Sequence, residues 1–371
     1  MKIATMTWIY NGNYGTVLQA YALQKMLNDK GYQTNLINYR ASTKSKIKNF
    51  FKSKNSYSLF IQKAKSIIFN SKSNSSIDYK LRNKRFMDFL NNECSLTKLY
   101  SKPEDLKELN DIYDVFICGS DQIWSPNFFN EIFYLSYVDE NRKKIAYAPS
   151  FGVSSITNKK KNKIKALLER FDYISVREKQ GADIVKGLIN KNADVVLDPT
   201  LLLSEEQWSK IAVNPNIEEP YILCYFLSDN DFYYEVVEKL AEETGYKVIS
   251  IPVTADSYNT VYEKYPDAGP QEFLGLIKNA SLICTDSFHG TIFSINFKRD
   301  FYVFKRFSDE SSSSQNSRIY NILNLLQAND RLFEEGKKVN RGDIKITNYN
   351  EIYDKLLALR GQSIKWLIDK L

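Results

Sequence analysis

This sequence of 371 residues is poor in histidine and has no clustered cysteines. His289 is the only histidine, and no CxxC pair or Cys/His cluster is present. Zinc sites draw on closely spaced Cys and His ligands, so we expect no metal site. The cysteines are widely separated, and three of them lie in apolar, strand-like runs: Cys94, Cys118, Cys224 and Cys284. We therefore expect reduced core thiols rather than a disulfide framework.

Long apolar runs are also missing. No run approaches the ~20 residues that a membrane-spanning helix needs, and the N-terminus lacks the apolar region of a signal peptide. A cytoplasmic location is therefore expected. The formal charge of +7, from 51 basic and 44 acidic residues, is small and scattered. Such an excess suits anionic ligands such as phosphates or carboxylates, but it does not predict nucleic-acid binding.

The chain is too long for one ordinary hydrophobic core, so two domains of about 150–200 residues each are expected. Alternating strand and helix patterns occur in two sets, and a polar, proline-containing stretch separates them. We assign 1–203 to an N-terminal Rossmann-like domain, 204–220 to a linker and 221–350 to a C-terminal Rossmann-like domain. An amphipathic helix at 351–371 is expected to return to the first domain.

The chain begins with a predicted βαβ unit, formed by a strand at 3–9, a helix at 17–27 and a strand at 34–39. The first turn of this unit contains Asn11, Gly12, Asn13, Tyr14 and Gly15. Such a turn lies at the carboxyl end of a parallel sheet, where ligands bind. It lacks a full GxGxxG pattern, so dinucleotide binding is not indicated. A tight strand-to-helix connection explains it as well as a ligand loop does.

A lysine-rich segment near 41–92 interrupts this regular pattern. We favour a basic helical excursion that covers one side of the sheet. The alternative is contact with an anionic membrane surface, which would place the protein peripherally at the inner face of the membrane.

Two strands of the first domain end in residues that suit ligand binding. One ends in Gly119, Ser120 and Asp121, which provide close backbone approach, a hydroxyl and a carboxylate. The alternative is a cap for the next turn. Another strand ends at Arg177, whose guanidinium suits a carboxylate or phosphate. An ion pair with Glu178 is the alternative.

His289 lies where an apolar strand turns into a predicted helix. Asp286 or Ser287 is expected to cap that helix. A helix N-terminus offers free N–H groups and the positive end of the helix dipole, which together form an anion site. An imidazole there can also move protons near neutral pH. A lone histidine at such a junction is equally consistent with a cap or a buried core residue.

Two doubly wound α/β domains with a cleft between their sheet ends resemble the layout of the GT-B glycosyltransferases. This likeness of fold predicts a cleft but not a chemistry.

Six motifs together carry a more specific resemblance. They are NGNYG at 11–15 followed by LQAYAL at 18–23, GSDQIW at 119–124, YAPSFG at 147–152, SVRE at 175–178, LDPT at 197–200 and SFHGT at 287–291. In these motifs the chain resembles the polysaccharide pyruvyl transferase family over most of residues 1–330. The basic segment near 41–92 is the part of the chain that this resemblance covers least.

The resemblance implies transfer of a pyruvyl group from phosphoenolpyruvate to two hydroxyls of a sugar, giving a cyclic ketal and phosphate in surface-polysaccharide or exopolysaccharide synthesis. The expected acceptor is a nucleotide- or lipid-linked sugar, and no cofactor is expected beside phosphoenolpyruvate as co-substrate. His289 matches the family's catalytic histidine, and Arg177 matches its donor-binding arginine. Further donor-binding residues are expected at Ser287, Gly290, Thr291 and Arg318. The acceptor side of the cleft is expected to contain Asn11, Asn13, Tyr14, Gly119, Ser120 and Asp121.

One position departs from the family pattern. Other branches carry an arginine two residues before the histidine, where this chain has Ser287. We expect another cation to supply the charge, and we favour Arg318 among the candidates Lys298, Arg299, Lys305, Arg306 and Arg318. Two other functions stay open, namely a GT-B-like glycosyltransferase with a nucleotide-sugar donor and a noncatalytic carbohydrate-binding protein.

Overall fold

A computed structural model of the chain describes residues 1–10, 12–40, 75–307, 316–346 and 348–371. Asn11, which we predicted to lie in the cleft, is outside the described residues. So is the part of the basic segment from 41 to 74. The rest of that segment belongs to a long helix, Ser75–Glu93.

The first sheet has six parallel strands in the order β2-β1-β3-β4-β5-β6. The strands are β1 (Lys2–Met6), β2 (Gln33–Leu36), β3 (Val115–Cys118), β4 (Lys143–Ala146), β5 (Tyr173–Val176) and β6 (Asp194–Val195). The helices of this half are α1 (Tyr14–Asp29), α2 (Ser75–Glu93), α3 (Asn158–Glu169) and α4 (Lys179–Ile189). Short 3₁₀ helices lie in its loops, including Glu104–Asp111, Gln122–Trp124 and Pro199–Leu201.

A short helix, α5 (Glu205–Ser209), lies within the predicted linker. The second sheet follows, with six parallel strands in the order β12-β11-β10-β7-β8-β9. Its strands are β7 (Tyr221–Tyr225), β8 (Lys247–Ser250), β9 (Glu263–Lys264), β10 (Leu282–Thr285), β11 (Asp300–Phe304) and β12 (Leu332–Phe333). The remaining helices are α6 (Asp231–Thr244), α7 (Ala255–Asn259), α8 (Pro270–Asn279), α9 (Phe288–Asn296), α10 (Ser317–Leu326), α11 (Arg341–Ile344) and α12 (Tyr349–Ile368).

The strand order of each sheet reverses at one point, between β1 and β3 in the first sheet and between β7 and β10 in the second. In open parallel sheets, ligands bind outside the carboxyl ends of the strands at such reversal points. The predicted fold class, two doubly wound Rossmann-like domains in a GT-B-like arrangement, is confirmed.

The two domains share one continuous hydrophobic cluster. Tyr14, at the start of α1, stacks on Phe273 of the second domain with 4.3 Å between ring centroids. Its hydroxyl donates a hydrogen bond of 2.7 Å to the Ala268 carbonyl. Leu18 of α1 and Phe293 of α9 belong to the same cluster of buried side chains. This shared core fixes the carboxyl edges of the two sheets relative to each other.

The C-terminal helix α12 returns to the first domain, as predicted. The Ser363 hydroxyl accepts a hydrogen bond of 3.0 Å from the Leu197 amide, and the Trp366 indole donates one of 2.7 Å to Asp194. Arg360 donates to the Leu201 carbonyl. Among the described residues, no helix is both long enough and apolar enough to cross a membrane.

Candidate active site

A pocket opens between the two domains, where the carboxyl ends of both sheets meet. The first domain contributes Trp8, Asn13, Thr16, Asp121 and Gln122 to its wall. The second domain contributes residues that follow β7, β10 and β11, together with the start of α10: Leu227, Asp286, Ser287, Phe288, His289, Arg306, Phe307, Asn316, Arg318 and Ile319. The pocket therefore lies where parallel-sheet proteins place their ligands.

His289 lies at the start of α9 and packs against the first turn of α1. The contact is so close that a Cβ atom on Gly15 would lie 1.9 Å from the imidazole Nδ1 atom. Only a glycine allows the backbone of α1 to approach the ring in this way. The imidazole side chain is 9% exposed, on the pocket wall. The position of the only histidine therefore depends on a glycine of the other domain.

The Asp198 carboxylate is the buried centre of the polar site. Its Oδ2 atom accepts hydrogen bonds from Arg177 Nη1 at 2.7 Å and from Ser120 Oγ at 3.0 Å. Its Oδ1 atom accepts two more, from the amide and the hydroxyl of Thr200. The imidazole Nε2 atom of His289 lies 3.8 Å from Oδ2, which is within ion-pair range but too long for a hydrogen bond.

These contacts decide the charge of Asp198. Burial opposes ionisation of the carboxyl, but His289 and Arg177 outweigh it and hold the pKa of Asp198 well below its usual range. A carboxylate anion therefore lies 3.8 Å from the imidazole of His289, inside the polar site. In Ser-His-Asp triads a buried carboxylate orients the histidine through a hydrogen bond, whereas here Asp198 faces the imidazole at ion-pair distance.

Arg177 lies beneath the pocket wall and not on it. Its side chain is 2% exposed, and the Phe288 ring covers the guanidinium with 4.6 Å between the Cζ atom and the ring centroid. Two carboxylates accompany it, Asp198 at 2.7 Å and Glu178 at 3.8 Å. Burial works against the charge of Arg177, but Asp198 and Glu178 outweigh it and raise the pKa. Nε and Nη2 make no hydrogen bond within the described part of the chain, so two buried donors remain available.

Asp121 is the carboxylate on the first-domain wall of the pocket. It follows β3, and its Oδ2 atom accepts a hydrogen bond from the Thr16 hydroxyl at 2.5 Å. Its Oδ1 atom accepts from the Gln122 amide and so caps the following 3₁₀ helix. The cap that the sequence raised as the alternative is present, and Asp121 also lies on the pocket wall.

Ser287 and Asp286 have separate structural tasks. The Ser287 hydroxyl caps α9 by accepting a hydrogen bond from the Gly290 amide at 3.3 Å. Asp286 instead accepts from the Leu227 amide and the Ser228 hydroxyl, both at 2.6 Å. It thereby connects the ends of β10 and β7. Burial raises the pKa of Asp286 above its usual value despite these bonds.

The structure brings two of the candidate replacement cations, Arg306 and Arg318, to the pocket. The Arg318 guanidinium lies 5.7 Å from the Phe288 ring centroid, so Phe288 contacts both Arg177 and Arg318. Burial and the nearby Arg177 charge lower the pKa of Arg318 to about 10, which leaves it charged at neutral pH. Lys298, Arg299 and Lys305 do not line this pocket.

The other predicted residues lie at varied distances from the pocket. Asn13 lines it and caps α1. Ser120 lies behind the wall, bonded to Asp198. Tyr14 is buried in the interdomain core. Gly290 and Thr291 are inside α9, where the Thr291 hydroxyl donates to the Ser287 carbonyl.

Sequence reasoning gave no role to Asp198 or Trp8, and it named Glu178 only as an alternative ion-pair partner of Arg177. Asp198 belongs to the LDPT motif, which was the signal available for it, but its partners become visible only in three dimensions. Glu178 accepts a hydrogen bond of 2.7 Å from Ser150 and stays buried beside Arg177. Trp8 borders the pocket, with its ring packed edge-on against Phe133.

Comparison with solved structures gives distant matches. The UDP-GlcNAc 2-epimerase from Methanocaldococcus jannaschii is 12% identical with a TM-score of 0.46, covering 96% of this chain and 99% of that one. The UDP-GlcNAc 2-epimerase from Neisseria meningitidis bound to UDP-GlcNAc is 10% identical with a TM-score of 0.44, covering 96% and 100%. MurG from Acinetobacter baumannii is 10% identical with a TM-score of 0.43, covering 100% and 98%.

Sequence comparison identifies the family. No curated protein matches the chain. The family model described as polysaccharide pyruvyl transferase matches residues 13–306, which include α1, Arg177, Asp198 and His289. The chain therefore belongs to the polysaccharide pyruvyl transferase family.

Proposed function

We propose that this protein transfers a pyruvyl group from phosphoenolpyruvate to two hydroxyls of a sugar, forming a cyclic ketal and releasing phosphate. The observation that carries the proposal is the pairing of His289 with the buried Asp198 carboxylate, on a pocket that also holds Arg306 and Arg318. An acid–base group beside cations suits a donor that carries a carboxylate and a phosphate. The proposed acceptor is a nucleotide- or lipid-linked sugar of surface-polysaccharide synthesis.

The donor needs positive charge for both of its anionic groups. Arg306 and Arg318 lie on the second-domain wall, and the N-terminus of α9 opens at the same wall. Guanidinium groups form strong charge-assisted bonds to phosphate and carboxylate oxygens, and a helix N-terminus adds to them. Arg177 has two buried donors behind Phe288, and a shift of that ring would bring them to the donor. In this proposal Arg318 supplies the cation that Ser287 lacks.

The reaction can be written with His289 as the acid. The protonated imidazole donates a proton to the methylene carbon of phosphoenolpyruvate, which becomes the methyl group. The first sugar hydroxyl adds to the neighbouring carbon and loses its proton to a base. The carbon–oxygen bond to phosphate then breaks, and the second hydroxyl adds and returns its proton to His289. Asp198 stabilises the imidazolium at the start and end of this cycle.

The test measures phosphate release from phosphoenolpyruvate with a panel of nucleotide- and lipid-linked sugars. We expect release with at least one acceptor, and a loss of kcat of at least ~10²-fold in His289→Ala. Arg177→Ala should lower kcat and also weaken donor binding. No release with any acceptor, together with tight binding of a nucleotide-sugar, would favour the glycosyltransferase function instead.

A further inference from the structure

Asp121 has a backbone conformation that side chains other than glycine avoid. Its φ of 79° and ψ of −178° fall in a region that is essentially restricted to glycine. The glycine of the same motif, Gly119, does not have a positive φ. A glycine at 121 would relieve the strain, yet this position carries a carboxylate. Backbone strain of this kind is concentrated at functional sites, where surrounding contacts maintain it.

Several contacts keep Asp121 in this conformation. Its carbonyl accepts a hydrogen bond of 2.8 Å from the Ser150 amide. Its two carboxylate oxygens accept from Gln122 and Thr16. A carboxylate has about four lone-pair positions, and the bonds from the described residues use about half of them. The residue is 6% exposed, on the pocket wall that faces the second domain.

The location of Asp121 suits a second acid–base group. It lines the same pocket as His289 but belongs to the opposite domain. Its charge interacts with both Arg177 and Arg318, so the carboxylate lies within the cationic part of the site. Ketal formation removes a proton from each of two hydroxyls, and each proton leaves at a different step. In the proposed reaction His289 acts first at the methylene carbon and last at the second hydroxyl, and the Asp121 carboxylate on the opposite wall is placed to act on the first hydroxyl.

We propose that Asp121 is the base for the first hydroxyl. The inference rests on the proposed pyruvyl transfer. The Asp121 carboxylate takes the proton of the first hydroxyl as the oxygen forms its bond to the donor carbon. It then passes that proton to the departing phosphate and becomes a carboxylate again. Of the two hydroxyl protons, one thus leaves on phosphate, and the other replaces the proton that His289 gave to the methyl group.

Three substitutions separate the chemical role from the structural one. Asp121→Asn keeps a side-chain oxygen for the cap but removes the base, and we expect kcat to fall by about 10²–10⁴-fold while phosphoenolpyruvate binding persists. Asp121→Ala and Asp121→Gly both remove the carboxylate, and both should be equally inactive. The melting temperature of the glycine variant should lie about 3 °C or more above that of the alanine variant, because only alanine keeps the strain.

Asn190→Gly is the matched control. Asn190 also has a positive φ, of 54°, but it is exposed at the end of α4, away from the pocket. This variant should keep the wild-type kcat. An Asp121→Asn enzyme with wild-type kcat would overturn the proposed role, as would alanine and glycine variants of equal stability and full activity. If the wild type itself releases no phosphate, the proposed function fails first, and the base role of Asp121 fails with it.

Discussion

Gly15→Ala tests the most unusual contact of the site, between the backbone of α1 and the His289 ring. An added Cβ would lie 1.9 Å from Nδ1 and 2.0 Å from Cγ of the imidazole. Ordinary contact begins at 3.4 Å, so the ring or the helix must move by about 1.5 Å. A displacement of ~1 Å at a reacting group can lower the rate by ~10²-fold. We therefore expect kcat for phosphate release to fall by about that factor.

The stability of the same variant gives an independent test. Overpacking typically costs about 1–3 kcal/mol, whereas replacing a helical glycine by alanine in open space gains up to about 1 kcal/mol. Gly187, in α4, serves as the control because a Cβ atom added there would have no other atom within 4 Å. Urea unfolding should show a loss for Gly15→Ala and no loss for Gly187→Ala. A Gly15→Ala enzyme with wild-type kcat and increased stability would refute the close contact between Gly15 and the His289 ring.

Three further predictions concern the surrounding residues. Asp198→Asn leaves the Arg177 charge buried beside Glu178 alone, and urea unfolding at pH 7 should show a loss of about 3–5 kcal/mol. Folding lowers the pKa of Asp198, so the stability that this carboxylate contributes is complete above its unfolded pKa near ~4 and is lost as the pH falls further. The wild type should therefore lose more stability than Asp198→Asn between pH 5 and pH 2. Arg318→Ala should raise KM for phosphoenolpyruvate by about 10-fold or more in steady-state assays, with a smaller effect for Arg318→Lys. Tyr14→Phe leaves the Ala268 carbonyl without its partner and should cost about 1–3 kcal/mol in urea unfolding while kcat stays near the wild-type value.

Much of the fold could be predicted because the local signals agree with the tertiary structure. The apolar run before His289 forms β10, and Ser287 caps the helix that follows, as one of the two proposed caps. Parallel strands of short, apolar character are the usual pattern for sheets buried on both faces. The amphipathic C-terminal segment also forms a helix that returns to the first domain.

The contacts of the site could not be predicted in the same way, because they join distant parts of the chain. The fit of His289 against Gly15 joins the two domains, and nothing in either local pattern indicates it. For Tyr14, the local sequence pattern favoured a different location from the one in the structure. Its place in a ligand-like turn favoured the cleft, but its ring stacks on Phe273 inside the interdomain core. Strain at Asp121 is likewise invisible in the sequence, because it follows from contacts with Ser150 and Thr16.

In the proposed reaction, His289 delivers the proton that converts the methylene group of phosphoenolpyruvate into the methyl group of a sugar ketal. The most direct measurement is mass spectrometry of the product formed in D2O from phosphoenolpyruvate and the acceptor that supports phosphate release. The wild-type enzyme should give a ketal whose methyl group carries one solvent deuteron, while His289→Gln gives neither ketal nor phosphate at a comparable rate. Ketal formation by His289→Gln at the wild-type rate would contradict the claim.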